Sequence, residues 1–455
     1  MPWPQERLSC FQPLRMYVWQ GMQAVRDPVA DDGCVMDKPI PRRDLLIITA
    51  AMVFLVLAGA LFDATHRDIR LGFDEVAQVS YIAAVQRDGP EPLTALRLLD
   101  PASFRFTAAP NYLNHPPLYY WALAAAGPHL EGQPRALLWY RIVNTLLAVL
   151  GLIACLRLGA GLGRMEFYAY AVPLVAMPVL VPLAGAINND NAAFCGGAIA
   201  ILALSRLVQT GGRRFLFMAA AGLIMAGWAK LTGLLLVGGV TTAVICYLAW
   251  RRRLPKSQFW TLAAALAVAA VPYLVLIAHY GSPAPDTAAQ HAMLVSESRQ
   301  YGWAAMPRLP FPAYAAEFVT DYFRRWLPGF VPQSPAAWTI LFIPVLAVLI
   351  AALGIAAAVR RVAQRCECPA DVLVVACALA TAATFVVHIV FSYQRHLATG
   401  WMLDAYPRYY LPVALMVPLA GLSAALVLPG KWRATFLAAL TLSPLIFLVL
   451  GRLIA

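Results

Sequence analysis

Runs of about twenty apolar residues, each long enough to cross roughly 30 Å of hydrocarbon, recur from residue 45 to residue 450 of this chain. Candidate spans lie at 45–62, 137–156, 166–187, 190–208, 215–233, 234–250, 259–278, 337–358, 371–391, 409–428 and 434–450, about eleven in all. Of the 455 residues 61% are hydrophobic and 13% charged, against about 25% charged in soluble domains. These features predict an all-α polytopic membrane protein.

Charge fixes the expected orientation. The net charge is +12, yet the tight basic clusters sit in short gaps between apolar runs. The positive-inside rule accounts for them, and no nucleic-acid partner is expected. The ambiguous piece is 116–130, which opens with Pro116-Pro117, is apolar, and is short for a crossing. If it stays at the outer surface, Arg157/Arg164, Arg213/Arg214, Arg251–Arg253 with Lys256, Arg360/Arg361/Arg365 and Lys431/Arg433 all face the cytoplasm. If it crosses, all of them flip outward. The first arrangement obeys the rule, so segments 63–136, 279–336 and 392–408 are expected outside, in a multi-pass protein of a bacterial inner membrane.

Residues 1–43 show no sustained apolar period and no secretory apolar core, and 44–455 form the membrane domain. The first stretch is either a cytoplasmic extension or the product of a misassigned start, with Met36 a natural alternative. Eight cysteines are present. Cys155, Cys195, Cys246 and Cys377 lie in apolar runs, where buried thiols are ordinary. Cys366 and Cys368 sit in a basic gap and are read as free thiols, since two ligands at that spacing make a weak metal signal.

Polar residues converge on the outer side. Asp74-Glu75 follow the first span, and an amphipathic surface helix is expected from there, with Val76, Val79, Ile82, Ala83 and Gln86 at helical spacing. Asn114-His115-Pro116-Pro117-Leu118-Tyr119-Tyr120-Trp121 closes the first loop. Asn188-Asn189-Asp190-Asn191 makes an outer turn, Arg141 and Lys230 lie near outer span ends, and Tyr406-Pro407-Arg408-Tyr409-Tyr410 opens the tenth span. A charge at a bilayer centre costs roughly 2.5–3.5 kcal/mol, so such residues have either a task or a route to the headgroups. Each has a plain alternative. Lys230 and Arg141 either snorkel or bind a ligand. Asp190 suits a turn, Arg408 a membrane anchor, and His115 a hydrogen-bonded loop. Asp74-Glu75 would also serve as N-terminal helix charges.

Taken together these motifs resemble the GT-C superfamily of integral-membrane glycosyltransferases. Asp74-Glu75 resembles its carboxylate motif, and the Asn114–Trp121 segment looks like the second motif of the protein O-mannosyltransferase-like and aminoarabinose-transferase-like branch. Asn189-Asp190, Lys230-Leu231-Thr232 and Arg408-Tyr409-Tyr410-Leu411-Pro412 also fall in family order, so the likeness runs from about 44 to 420. The chain departs from the pattern at Gln78, where a His or Arg is common. It departs again at Asn114, where the aminoarabinose branch has a metal-binding Glu. No cofactor is expected, a divalent metal being the one that the family leaves open.

The resemblance implies an inverting enzyme that moves a sugar from a polyprenyl-phosphate donor to a lipid, glycan or protein acceptor at the outer membrane face. A polyprenyl phosphate is its own leaving group, so a single carboxylate suffices as general base. Asp74 is expected to be that base, with Glu75 or Asp190 orienting hydroxyls. Lys230, Arg141 and Arg408 are candidates to hold the phosphate. Asn114 and His115 would contact substrate, and Tyr119, Tyr120 and Trp121 would form either a sugar platform or part of a lipid-facing belt. The rival readings are a transporter or flippase of lipid-linked sugars and a catalytically degenerate partner in envelope assembly.

Overall fold

The computed structural model describes residues 40–90, 92–325, 342–365, 368–402 and 404–454. The N-terminal extension up to residue 39, the alternative start at Met36, and Cys366 lie outside these residues. The chain begins with α1 (Arg42–His66) and continues through α2 (Glu75–Asp88), a short hairpin of β1 (Arg97–Leu99) and β2 (Phe106–Pro110), and α3 (Leu118–Ala126). Then come α4 (Leu137–Leu158), α5 (Arg164–Val175), α6 (Leu180–Ala184), α7 (Asn189–Thr210), α8 (Arg213–Ala229), α9 (Leu231–Trp250) and α10 (Lys256–Tyr280). The last part holds α11 (Ala288–Gln300), α12 (Phe311–Arg324), α13 (Phe342–Ala363), α14 (Pro369–Thr399), a 3-10 turn (Pro407–Val413), α15 (Met416–Ala425) and α16 (Gly430–Ile454).

Eight of these helices are long and apolar enough to cross a bilayer, as a multi-pass membrane protein requires. The other three expected spans are not single long helices. The 166–187 run is interrupted between α5 and α6 at residues 176–179, and α5 carries Pro173 inside it. The 215–233 run stops at Ala229, passes through an extended Lys230, and restarts as α9. The 409–428 run is divided between the 3-10 turn and the ten-residue α15. Within 116–130 the helix α3 has nine residues, or roughly 14 Å at 1.5 Å per residue, too short to cross.

Contacts sort the helix ends into two groups. Arg164 meets Asp44, Arg433 meets Glu166, Arg361 meets Asp371, and Gln258 donates to the Gly211 carbonyl. These bonds gather the basic gaps at one end of the bundle. The described parts of the three long segments 63–136, 279–336 and 392–408 meet at the other. Close helix approach rests on small residues: a Cβ on Gly196 of α7 would lie 2.6 Å from both the Gly222 carbonyl oxygen and the Ala226 nitrogen of α8. Backbone contact of this kind replaces the hydrophobic drive that lipid does not supply. The thiols of Cys155, Cys195 and Cys377 are buried in the helix packing, whereas Cys246 is exposed on α9.

The expected surface helix forms, but it does not lie on the headgroups. Nine of the fourteen residues of α2 are buried, including Gln78 and Ser80 on the face expected to be polar. Tyr120 of α3 stacks on Tyr81 at 4.1 Å, the Leu99 amide donates to Ser80, and Asn111 donates to the Ala77 carbonyl. The hairpin and α3 therefore roof α2, which became an interior element because its polar side chains find partners above it.

The orientation is tested by impermeant thiol labelling of intact cells, in a background freed of native cysteines. Glu131→Cys and Gln300→Cys are expected to label and Ser257→Cys to be protected. Protection at 131 with labelling at 257 would invert the assignment.

Candidate functional site

Where the three long segments meet, they enclose a cavity of about 450 Å³. Its wall draws Asp74, Tyr112, Asn114 and His115 from the first segment, Glu297 from the second, and Asp404 and Tyr406 from the third, with Lys230 from between α8 and α9.

Asp74 is set in place by the backbone. Gly72, Phe73 and Asp74 have φ of 87°, 59° and 57°, so three successive residues adopt the left-handed region. For a non-glycine residue this is uncommon, and for the bulky Phe73 it is costly. The turn lifts Asp74 out of α2 while Glu75 starts the helix and points inward. The Asp74 side chain remains 42% exposed; it accepts from Arg408 Nη2 at 2.9 Å and from the Tyr112 hydroxyl at 3.2 Å. Burial, and then the neighbouring Asp74 charge, push the Tyr112 phenol above its ordinary range.

Behind Asp74 the charges continue in a string. Arg408 Nε lies 3.4 Å from Asp190 Oδ2, and Lys230 Nζ donates to Asp190 Oδ1 at 2.7 Å. Lys230 also sits 3.7 Å above the Tyr409 ring. Asp190 is held at the start of α7 because Asn188 accepts its amide as the helix cap. Asn189 donates to the Ala229 carbonyl, tying that cap to the break that presents Lys230. His115, beside them, makes no hydrogen bond to another described residue. Burial, with Lys230, Arg408 and Arg395 nearby, lowers its pKa well below the usual histidine value, so the ring is neutral.

Several expected site residues are elsewhere. Glu75 is buried and takes Arg141 as a fork, at 2.9 Å from Nε and 2.7 Å from Nη2. Arg141 Nη1 donates to the Ala64 and Arg67 carbonyls, both at 2.9 Å, and the Ile187 amide donates to Glu75. Neither side chain lines the cavity; Arg408 and Asp190 do not line it either, and reach it only through Asp74 and Lys230. The expectation that Arg141 holds a phosphate does not fit, since four of its N–H groups are already engaged. Neither alternative for the aromatics, a sugar platform or a lipid-facing belt, fits two of the three residues. The Tyr119 hydroxyl donates to Asn144, Tyr120 donates to Gln78, and both rings are buried in the core. Gln78, the departure from the family pattern, thus serves as the partner of Tyr120.

Tyr112, Glu297, Arg395 and Asp404 were not singled out by their sequence. Glu297 was detectable only as part of a stripe, Gln290, Met293, Leu294, Glu297 and Tyr301, which keeps to one face of α11 and lines the cavity. Burial, and then Asp74, raise its pKa. For a metal the donor set is poor: among the described residues no three His, Cys, Asp or Glu side chains converge, and Asn114 brings no carboxylate. No known family model matches the chain, and no curated protein is similar enough to pair with it.

Proposed function

We propose that the chain is an inverting glycosyltransferase of GT-C type that takes a sugar from a polyprenyl-phosphate donor at the outer membrane face. The observation that carries this reading is Asp74, an open carboxylate presented by a strained turn at the head of a buried string of cations and acids. In the proposed reaction Asp74 takes the proton of the acceptor hydroxyl as its oxygen bonds to the anomeric carbon. The bond from that carbon to the phosphate oxygen breaks, its electron pair stays on the phosphate, and the anomeric configuration inverts. Lys230 and Arg408 offset the departing charge as preorganised donors. Each retains N–H capacity: Lys230 donates one of its three protons to Asp190, and Arg408 donates from Nη2 to Asp74 with Nε in an ion pair to Asp190, leaving Nη1 without a hydrogen bond among the described residues. Glu75 and Arg141 brace the turn that carries Asp74.

Incubation of purified protein with radiolabelled polyprenyl-phosphate sugars and membrane extract tests the reading; transfer from one donor is expected. Lys230→Gln and Arg408→Gln are each expected to weaken donor binding at least about tenfold, the low end for loss of a charge-assisted hydrogen bond. Unchanged donor binding and turnover in both variants would leave these cations as structural anchors only.

A transporter of lipid-linked sugars is the second reading. The interruptions at 176–179 and Lys230 favour it, because broken helices are how transporters expose backbone to a substrate. Movement of labelled lipid across vesicles, with no transfer from any donor, would decide for it.

A further inference from the structure

We infer that the cavity holds a subsite for a carbohydrate acceptor, with Glu297, Gln290 and Asn114 binding sugar hydroxyls and Tyr301 facing the ring. The inference rests on the transferase reading and selects a glycan over a lipid or a peptide as the second substrate.

Glu297 differs from every other charged residue of the wall. Asp74, Lys230, Arg325, Arg395 and Asp404 all have ion-pair partners within 3.4 Å. The Glu297 carboxylate has neither an ion pair nor a hydrogen bond among the described residues. In the lining of the same cavity, polar atoms on three separate elements are buried and unpartnered: Asn114 Nδ2, Thr232 Oγ1 and Gln290 Oε1. Asn114 is only 7% exposed, so its amide lies in the wall without access to bulk water. Buried polar groups without partners are few in proteins and call for a cause.

The chemistry of these groups narrows the ligand. The amide nitrogen needs an acceptor, whereas the carboxylate and the Gln290 oxygen need donors. An ammonium ion would satisfy only the two acceptors, Glu297 and Gln290, and a phosphate only the Asn114 N–H. Hydroxyl groups both donate and accept, and several adjacent hydroxyls would meet all three. The aromatic surface beside them fits the same ligand. Tyr301, 55% exposed, stacks on Trp303 at 4.6 Å and lies 6.3 Å from Trp401. A pyranose has an apolar C–H face that covers such rings while its hydroxyls reach outward. The helix α11 is free to present its stripe, because only Leu294 and Ser298 of its thirteen residues are buried.

Binding, rather than transfer, tests the subsite. Full-length protein in nanodiscs would be titrated with neutral trisaccharides of glucose, mannose, galactose and N-acetylglucosamine, using tryptophan fluorescence and saturation-transfer NMR. At least one is expected to bind below about 10 mM, and Glu297→Gln and Tyr301→Ala should each weaken it about tenfold. Binding of polyprenyl phosphate should stay unchanged in both, which also shows that they fold. The subsite is overturned if no trisaccharide binds, if both variants bind as wild type does, or if tetramethylammonium binds there in place of sugars. Trisaccharide binding without transfer from any donor would overturn the transferase reading alone. Transfer to a lipid or peptide without trisaccharide binding would overturn the subsite alone.

Discussion

Asp74→Asn is expected to lower sugar transfer at least about 100-fold while the protein still inserts and binds its donor, within the usual contribution of a general base. Asparagine is the informative replacement here for two reasons. It keeps one acceptor oxygen, enough for the Arg408 bond, while the Tyr112 hydroxyl, which now donates to the other carboxylate oxygen, can turn to accept from the new amide N–H. It is also among the few non-glycine residues that tolerate the left-handed region that residue 74 occupies at φ 57°. The backbone and the hydrogen-bonded neighbours can therefore stay in place, while the negative charge and the capacity to take a proton are removed. The measurement is the initial rate at saturating donor, with donor affinity determined separately. Full activity in the variant would withdraw the role from Asp74 and pass it to Glu297, which lines the same cavity and has no ion-pair partner among the described residues.

Glu75→Ala is expected to act on stability. Arg141 is 3% exposed, and without the Glu75 fork its guanidinium would be a buried charge lacking its counter-ion, at a cost of about 3–5 kcal/mol. Loss of the monodisperse, folded fraction on size exclusion and a lower thermal midpoint should follow. The double variant Glu75→Leu with Arg141→Leu should recover part of that loss, because it removes the stranded charge as well. A folded, heat-stable Glu75→Ala protein that had lost only activity would place Glu75 in the chemistry instead of beneath it.

Much of the architecture was legible from composition and periodicity. Long apolar runs set most helix positions to within a few residues, and the brevity of 116–130 agreed with a helix that does not cross. What periodicity could not register was interruption. An apolar stretch looks the same whether it runs straight or breaks at 176–179, since the break is made by packing and local backbone geometry rather than by a change of polarity. The site was legible in a similar, partial way. Asp74, Asp190, Lys230 and Arg408 stood out because charge is scarce in so apolar a chain, and they prove to be neighbours. Arg141 and Glu75 stood out for the same reason, but scarcity cannot tell a charge that meets a ligand from one neutralised in the interior. Tyr119 and Tyr120 were misjudged because an aromatic in a short loop helix reads alike from either face. Glu297 was passed over because a lone acid in a polar loop carries no signal until the fold turns it toward Asp74.

The charge string joins parts of the chain that are made at very different times. Glu75 and Arg141 are 66 residues apart, whereas Asp74 and Arg408 are 334 apart. At about 5–20 residues per second, Arg408 leaves the ribosome roughly 20 to 70 s after Asp74. In that interval the fork of Glu75 and Arg141 can already close, and Asp190 can already meet Lys230, but the string has no middle. A nascent chain therefore carries a braced carboxylate and a separate ion pair through most of its synthesis. The string closes only when the tenth apolar segment arrives, so chains cut short before it would lack the link between Asp74 and Asp190.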